Sequence, residues 1–227
     1  MQCGMTDTEY ITHFTMWAAI KSPLIMGNDV RAITPQTLTI LTNPAVLAIS
    51  QDPAGSSAVR RWRYFLNDTL TDQETNKTQT VPAELQMWSG TLSNGDYLTI
   101  LLNAGSTPRQ MSATLADIFV DFGGAKSGEA QSTWDLYDLW ADRMPESIAA
   151  SIITNNSTVG VNITGVYYNA TQKSYAEGIS DNDAVLMGKM VGSVNGWGSV
   201  SAMVEPHGVK AYRMKLRGVS LRKRDEL

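Results

Sequence analysis

A short apolar run between two helical segments is the feature that most constrains the fold of this 227-residue chain. Leu24-Ile25-Met26-Gly27 is apolar at successive positions, which is typical of a strand that is covered on both faces in a parallel sheet. A parallel strand needs a crossover helix and a second parallel strand beside it. No second unit of this kind follows in the sequence. The pattern therefore predicts that the neighbours of this strand lie upstream of residue 1.

Capping signals define the helices on either side of this run. Thr6 and Glu9 have the spacing of a capping box, and apolar residues then follow at helical intervals until Ser22-Pro23 ends the helix. Downstream, Thr34-Pro35 and Asn43-Pro44 each place a proline directly after an N-cap residue. These signals predict one helix before the strand and two after it.

After residue 55 the pattern changes to short strand-like runs separated by glycine and polar residues. Asn94-Gly95 between two of these runs is a hairpin signal. Several short strands with turn signals favour an antiparallel sandwich, with one short helix expected at Arg143–Ser151. The predicted strands are Val59–Phe65, Leu85–Leu92, Tyr97–Asn103, Ser132–Trp140, Val159–Tyr168, Ser199–Val204 and Val209–Leu216.

Two architectures fit this order of elements. In the first, residues 1–54 are the last βα repeat of an incomplete (β/α)8 TIM barrel, residues 55–218 are an antiparallel β-sandwich, and residues 219–227 are a charged tail. In the second, the chain is a small α+β domain whose N-terminal helices cap the sandwich. The pattern of elements alone leaves both architectures open.

Composition and charge exclude several classes of function. The 18 basic and 22 acidic residues are scattered, so we expect no basic face for nucleic acid. No run of about 18 apolar residues is present, so we expect no membrane span. The lone cysteine, Cys3, excludes an internal disulfide and has no metal partners in the sequence, and we expect neither a metal nor a cofactor.

Six Asn-x-Ser/Thr sequons, four of them in one short stretch, are typical of a secreted glycoprotein and predict N-linked glycans. The first residues lack the basic and apolar regions of a signal peptide, which again suggests that the natural N-terminus lies upstream. The C-terminal Arg-Asp-Glu-Leu is similar to a retrieval signal of the endoplasmic reticulum, although a chance acidic end is favoured. The candidate glycosylation sites are Asn67, Asn76, Asn155, Asn156, Asn162 and Asn169.

Specific motifs shift the balance towards the barrel architecture. Residues 5–55 resemble the last barrel repeat of melibiase-type α-galactosidases, and three later stretches are similar to the β-domain of fungal members, so the likeness extends from Met5 to about Arg217. The barrel motifs are Met5-Thr6, Trp17-Ala18, Ser22-Pro23-Leu24, Asn28-Asp29 and Ile49-Ser50-Gln51-Asp52. The β-domain stretches are Trp134–Arg143, Tyr168–Gly178 and Glu205–Lys215.

The resemblance implies hydrolysis of terminal α-linked galactose with retention, by two aspartates roughly 5–5.5 Å apart. In the family these follow Lys-x-Asp on the fourth barrel strand and Arg-x-x-x-Asp after the sixth. This sequence has no Arg-x-x-x-Asp, and its one Lys-x-Asp, Lys223-Arg224-Asp225, lies in the tail. The sugar-gripping Asp-Pro-Asp-Met segment of the family is also absent. No catalytic residue is therefore assigned in this chain, which we expect to be inactive alone.

Few residues of the chain itself are candidates for a functional site. Asp29 follows the predicted strand, on the barrel face where active sites form, although a turn or cap role is favoured. Asp7 and Glu9 are explained as acids that favour the helix dipole. His13 is expected to be a surface or core histidine, and His207 a turn residue.

A second class of function is a stand-alone carbohydrate-binding or interaction module. Aromatic side chains stack on sugars, and five of the six tryptophans lie in the predicted sandwich. Core packing is the commoner role of aromatic residues in strands. These five are Trp62, Trp88, Trp134, Trp140 and Trp197.

Overall fold

The computed structural model describes residues 4–72, 74–121, 124–125 and 127–218, so Cys3 and the C-terminal Arg-Asp-Glu-Leu lie outside the described residues. The α-helices are α1 Asp7–Ala19, α2 Pro35–Leu41, α3 Pro44–Ser50, α4 Leu115–Ile118, α5 Ser127–Gln131, α6 Glu146–Asn155, α7 Tyr175–Ser180 and α8 Ala184–Met187, with 3-10 turns at Val30–Ala32 and Ser93–Gly95. The strands are β1 Val59–Thr71, β2 Thr78–Thr91, β3 Tyr97–Asn103, β4 Arg109–Thr114, β5 Val120–Asp121, β6 Gly124–Ala125, β7 Trp134–Asp138, β8 Lys189–Val194, β9 Ser199–Val204 and β10 Gly208–Leu216.

A six-stranded sheet in the order β1-β2-β3-β10-β7-β8 forms the centre of the molecule, and every pair in it is antiparallel. The predicted hairpin joins β2 to β3. Asn94 has a φ of 60° and Gly95 a φ of 76°, the left-handed pair that a type I′ turn requires. The two inner strands, β3 and β10, are buried along most of their length.

The second layer of the sandwich is the antiparallel pair β4-β9, with α4 beside it. Between this layer and the large sheet lies an apolar core that includes Met87, Leu101 and Met214. Three rings meet in it, with Tyr97 edge-on to Phe119 and to Trp134 at centroid distances of 4.6 and 5.6 Å. The predicted antiparallel β-sandwich is thus confirmed, with one sheet much larger than the other.

The N-terminal helices cover the opposite face of the large sheet. Because side chains alternate along a strand, Leu98 and Ile100 of β3 point away from the sandwich core and pack with Phe14, Ala18 and Ile49. Burying each large apolar side chain contributes about 1.5–3 kcal/mol. In the part of the chain that is described, no helix is long and apolar enough to cross a membrane.

Some predicted elements are wrong or were missed. Val159–Tyr168 is not a strand but an irregular segment between α6 and α7, because Gly160 and Gly165 take φ values of 78° and 76° that break an extended chain. The helix expected at Arg143–Ser151 begins later, as α6. β4 and β8 were not predicted. The sequence of β4 alternates only weakly between apolar and polar residues, and that of β8 contains a glycine.

Candidate functional site

The apolar run Leu24–Gly27 lies at the surface between α1 and the turn at Val30–Ala32. Ile25 is 75% exposed and Met26 is 52% exposed. Within the described ranges these residues pair with no strand, so the predicted strand is not formed by this chain itself. The run has one half-buried residue, Leu24, which packs against the core between the helices and the large sheet, and it is otherwise exposed. Its position agrees with the expectation that its partners lie outside the chain.

Asp29 sits directly after this run and caps the short turn that follows. Its carboxylate accepts hydrogen bonds from the Arg31 backbone N–H at 3.0 Å and from the Arg31 guanidinium, Nε and Nη2, at 2.9 Å each. The side-chain hydrogen bonds, and then the backbone one, hold the pKa of Asp29 below its usual value. The geometry is that of a loop-ordering carboxylate, and a role next to substrate stays a prediction.

An open apolar groove runs between α1 and α2. The predicted stripe of α1 is split, because Phe14 and Ala18 are buried whereas Tyr10 is 42% exposed. His13 lies against Trp17 with ring centroids 5.7 Å apart. The groove is lined by Tyr10, His13, Phe14 and Trp17 of α1 and by Thr37, Ile40 and Leu41 of α2.

A buried ionic cluster fixes the end of this N-terminal part to the large sheet. Asp52 accepts hydrogen bonds from the Ser93 N–H at 2.9 Å and the Ser93 hydroxyl at 2.7 Å, and lies 3.8 Å from the fully buried Arg213 guanidinium. Arg213 also pairs with Asp96 at 2.9 Å. Burial raises the pKa of Asp96 against the opposing effect of Arg213, and burial lowers the pKa of Lys21, which donates to the Asp52 carbonyl at 2.8 Å. The sequence had indicated Asp52 only as the last residue of a family motif.

A second set of contacts joins α1 to the loop after β7. Arg143 donates to both carboxylate oxygens of Asp7, at 2.7 and 2.9 Å, and to the Thr39 hydroxyl at 2.7 Å. The Trp140 indole N–H donates to the Thr15 hydroxyl at 2.9 Å. Asp7 therefore does more than favour the helix dipole. Motifs from both halves of the chain, predicted separately, meet in one interface.

The other titratable candidates have structural roles. The predicted capping box is confirmed, because the Thr6 N–H donates to Glu9 Oε2 at 2.7 Å and the Glu9 N–H donates to the Thr6 hydroxyl at 3.3 Å. His207 lies in the turn between β9 and β10, with a φ of 53°, and its carbonyl accepts from the Thr12 hydroxyl at 2.9 Å. Among the residues described, no three His, Cys, Asp or Glu side chains are placed to hold a metal ion.

The tryptophans of the sandwich region serve packing rather than a shared surface. Trp134 is buried in the sandwich core, and Trp62 is partly buried against the same core. Trp88 and Trp140 pack against the core under the N-terminal helices. Trp197, at 59% exposure, is the exception among these five. The aromatic residues therefore form no common sugar-binding face.

All six sequon asparagines are exposed, which satisfies the first requirement for glycosylation. At Asn169, the Thr171 hydroxyl donates to Oδ1 at 2.6 Å and the Thr171 N–H donates to it at 3.1 Å. At Asn162, the Thr164 N–H donates to Oδ1 at 3.2 Å. Occupancy of these sites stays a prediction.

Comparisons with known proteins agree on one family. The family model described as "Alpha galactosidase A" matches residues 2–52, and that described as "Alpha galactosidase C-terminal beta sandwich domain" matches residues 82–167. Alpha-galactosidase 2 of Saccharomyces cerevisiae is 44% identical over 212 residues, 93% of this chain and 42% of that protein. The alpha-galactosidase of Torulaspora delbrueckii is 43% identical over 213 residues, with the same two coverages.

Solved structures give the same result. The structure of the alpha-galactosidase from Saccharomyces cerevisiae with raffinose matches with a TM-score of 0.81 and 41% identity, covering 95% of this chain and 45% of that one. Alpha-galactosidase I from Mortierella vinacea matches with a TM-score of 0.56 and 27% identity, over 93% of this chain and 36% of that one. The chain thus spans less than half the length of these relatives.

Proposed function

Because the chain belongs to the melibiase-type α-galactosidase family of glycosidases, we propose that it is the part of such an enzyme that closes the catalytic barrel and carries the C-terminal sandwich. Residues 1–54 supply the last βα repeat, residues 55–218 form the β-sandwich and residues 219–227 are a charged tail. The reaction of the whole enzyme is hydrolysis of terminal non-reducing α-D-galactose with retention, by two aspartates that lie outside this chain.

The observation that carries this proposal is that Leu24–Gly27 pairs with no strand among the described residues and holds Ile25 and Met26 exposed. In an isolated domain, holding Ile25 and Met26 in solvent between two capped helices contributes nothing to stability. A barrel strand has neighbours on both edges, helices outside and barrel side chains inside. Strands docked on this run, and a helix docked in the groove between α1 and α2, bury both apolar surfaces at once.

Asp29 and its loop extend the proposal to the substrate. Barrel active sites form at the C-terminal ends of the strands, and Asp29 stands just past that end of the run. Since Arg31 neutralises its carboxylate, we assign Asp29 the role of ordering the loop beside the substrate pocket rather than a chemical step.

Complementation in trans tests the proposal. The N-terminal portion of alpha-galactosidase 2 of Saccharomyces cerevisiae, ending where its similarity to this chain begins, is produced together with the full chain. Hydrolysis of a nitrophenyl α-galactoside is then measured. We expect no turnover from either part alone and turnover from the two together. Turnover by this chain alone contradicts the assignment of both carboxylates to the upstream part.

A matched pair of variants locates the contact. Ile25→Asp places a charge on the proposed strand and is expected to abolish complementation. Val159→Asp changes an equally apolar residue, 83% exposed in the segment after α6, and is expected to leave complementation intact. Equal loss in both variants, or in neither, refutes strand pairing through this run.

We also infer that the protein is secreted with N-linked glycans, supported by the exposure of the six sequon asparagines. Intact-mass measurement of the secreted chain before and after glycosidase treatment tests this inference. Recovery of the protein from the medium with its C-terminus intact argues against retention through Arg-Asp-Glu-Leu.

A further inference from the structure

β1 is an edge strand of the large sheet, and its outward face carries one of the sequons. Among the strands that the structure describes, it pairs only with β2. Beyond a bulge between Arg60 and Trp62, alternate side chains point inward, where Trp62 packs on the sandwich core and Asp68 is buried. The intervening residues, Phe65 and Asn67 among them, therefore share the exposed face.

The spacing around this asparagine is specific. The stretch Phe65-Leu66-Asn67-Asp68-Thr69 places an aromatic residue two before the asparagine and the sequon threonine two after it. In a strand, residues two apart lie on one face about 6.6 Å apart, close to the span of a pyranose ring. A sugar on Asn67 therefore reaches back over the ring of Phe65, which is 68% exposed.

The surroundings hold the Phe65 ring and the backbone beside Asn67 in place. The Arg63 guanidinium carbon lies 4.7 Å from the Phe65 ring centroid, which fixes the ring and leaves most of it accessible. Asp68, next to Asn67, accepts from the Ser106 N–H at 2.6 Å and from the Thr107 hydroxyl at 2.8 Å, and pairs with Arg109. The backbone that carries the sequon is thus rigid, so a packed sugar loses little further freedom.

We propose that Asn67 carries an N-linked glycan whose first N-acetylglucosamine packs its C–H face on the Phe65 ring and covers the outward face of β1. This proposal rests on the proposed glycosylation. In the transfer, the anomeric carbon of the sugar bonds to Asn67 Nδ2 as its bond to the diphosphate oxygen of a lipid-linked oligosaccharide donor breaks. Nδ2 releases one proton, and the lipid diphosphate leaves.

A glycan that covers the outward face of β1 protects an exposed strand edge. A long edge strand with exposed apolar side chains is a template for pairing with another chain. β1 exposes apolar side chains on both faces, with Phe65 at 68% on the outward face and Tyr64 at 58% and Leu66 at 38% on the other. A bulky hydrated glycan in the middle of this strand obstructs such pairing, while the first sugar stabilises the strand through the ring contact.

A double-mutant cycle on the full chain, secreted from yeast, tests the packing. All proteins are trimmed with an endoglycosidase that leaves only the first sugar, and unfolding by guanidinium is measured. Thr69→Ala removes the sequon and is expected to lower the folded-to-unfolded ratio about three- to tenfold when Phe65 is present. In the Phe65→Ser background we expect less than about a twofold change, because no ring remains to contact the sugar.

The sequon at Asn76, in the turn of the same hairpin, is the matched control because Glu74 replaces the aromatic residue. Thr78→Ala removes this sequon and is expected to act equally in both Phe65 backgrounds. Peptide mass spectrometry gives the occupancies. If Asn67 is occupied but the effects of Thr69→Ala and Phe65→Ser on stability are additive, this inference is wrong. It is also wrong if Asn67 is empty while other sequons are occupied. In both cases the proposal that the protein is glycosylated still holds. Glycan-free protein overturns both, while complementation of galactosidase activity is decided separately.

Discussion

Two apolar runs of similar composition have opposite fates in this molecule. β3 hydrogen-bonds to β2 on one edge and β10 on the other, and its Ile100 is fully buried. Leu24–Gly27 has no strand partner within the described residues, and its Ile25 is 75% exposed. Among the described residues β3 has a strand on each edge and Leu24–Gly27 has none, and the isoleucine is accordingly buried in one place and exposed in the other. An apolar run thus specifies that a strand is to be buried, but not which residues bury it.

The contrast extends to the helices around each run. The inner sides of α1 and α3 are buried on the sheet, with Phe14 at 5% and Ile49 at 2% exposure, whereas Tyr10 and Trp17 border an open groove. The N-terminal part is therefore anchored on one side and unpartnered on the other. This one-sided burial is what a repeat unit shows when its neighbour is absent.

The most direct test of this difference in burial is to place the same charge in both apolar runs. Ile100→Asp buries an unpaired carboxylate in the sheet, and we expect a loss of more than about 4 kcal/mol, enough to abolish cooperative folding. Ile25→Asp is expected to change the free energy of unfolding by no more than about 0.5 kcal/mol. Guanidinium unfolding followed by circular dichroism measures both. A large loss from Ile25→Asp shows that the run is buried by this chain itself.

Removing the ionic anchor is expected to have the next largest effect. Arg213→Leu removes the buried cation beside Asp52 and leaves Asp96 with Lys215 alone, and breaking a buried pair in this way costs about 3–5 kcal/mol. We expect the unfolding midpoint to fall, and hydrogen exchange in α3 to rise together with exchange in β3. Exchange that rises in α3 alone contradicts the view that the anchor joins the N-terminal part to the sheet as one cooperative unit.

Local signals predicted the elements whose ends are fixed by nearby residues. The caps at Thr6, Thr34 and Asn43, the hairpin at Asn94-Gly95 and the bounds of β9 all follow from short-range chemistry. The order β1-β2-β3-β10-β7-β8 depends instead on long-range pairings, since β10 pairs with β3 across more than a hundred positions and with β7 across more than seventy. Such pairings are set by packing of the whole core, which local periodicity does not contain.

The position of the candidate site could be predicted from the sequence, but the contacts that its residues make could not. The apolar run and its flanking caps predicted a segment without strand partners in the sequence that follows, and the motif residues indicated the family. The pairing of Asp7 with Arg143 and of Asp52 with Arg213 joins residues 136 and 161 positions apart, and no single sequence signals those partners. The sequence favoured a turn or cap role for Asp29, whereas its ion pair with Arg31 depends on the turn that follows.

The smallest expected effect concerns stability at low pH. Here a buried carboxylate of the large sheet is compared with an exposed carboxylate beside the apolar run. Burial pushes the pKa of Asp68 up, but hydrogen bonds from Arg109, Thr107 and Ser106 hold it below its ordinary 3.8. The stability that Asp68 adds is therefore complete above that value and is lost as pH falls through the folded-state pKa. In Asp68→Asn the acid-induced fall of the unfolding midpoint is expected to flatten below about pH 4.

Asp29→Asn is the matched change at the exposed run. Arg31 also lowers the pKa of Asp29, but both side chains lie in solvent, where water and salt screen the pair. We expect its curve of midpoint against pH to run parallel to that of the unmodified chain, and more closely so at higher salt. A flattening at Asp29 as large as that at Asp68 shows that the run is held more tightly than its exposure indicates, because solvent-exposed ion pairs contribute little to stability.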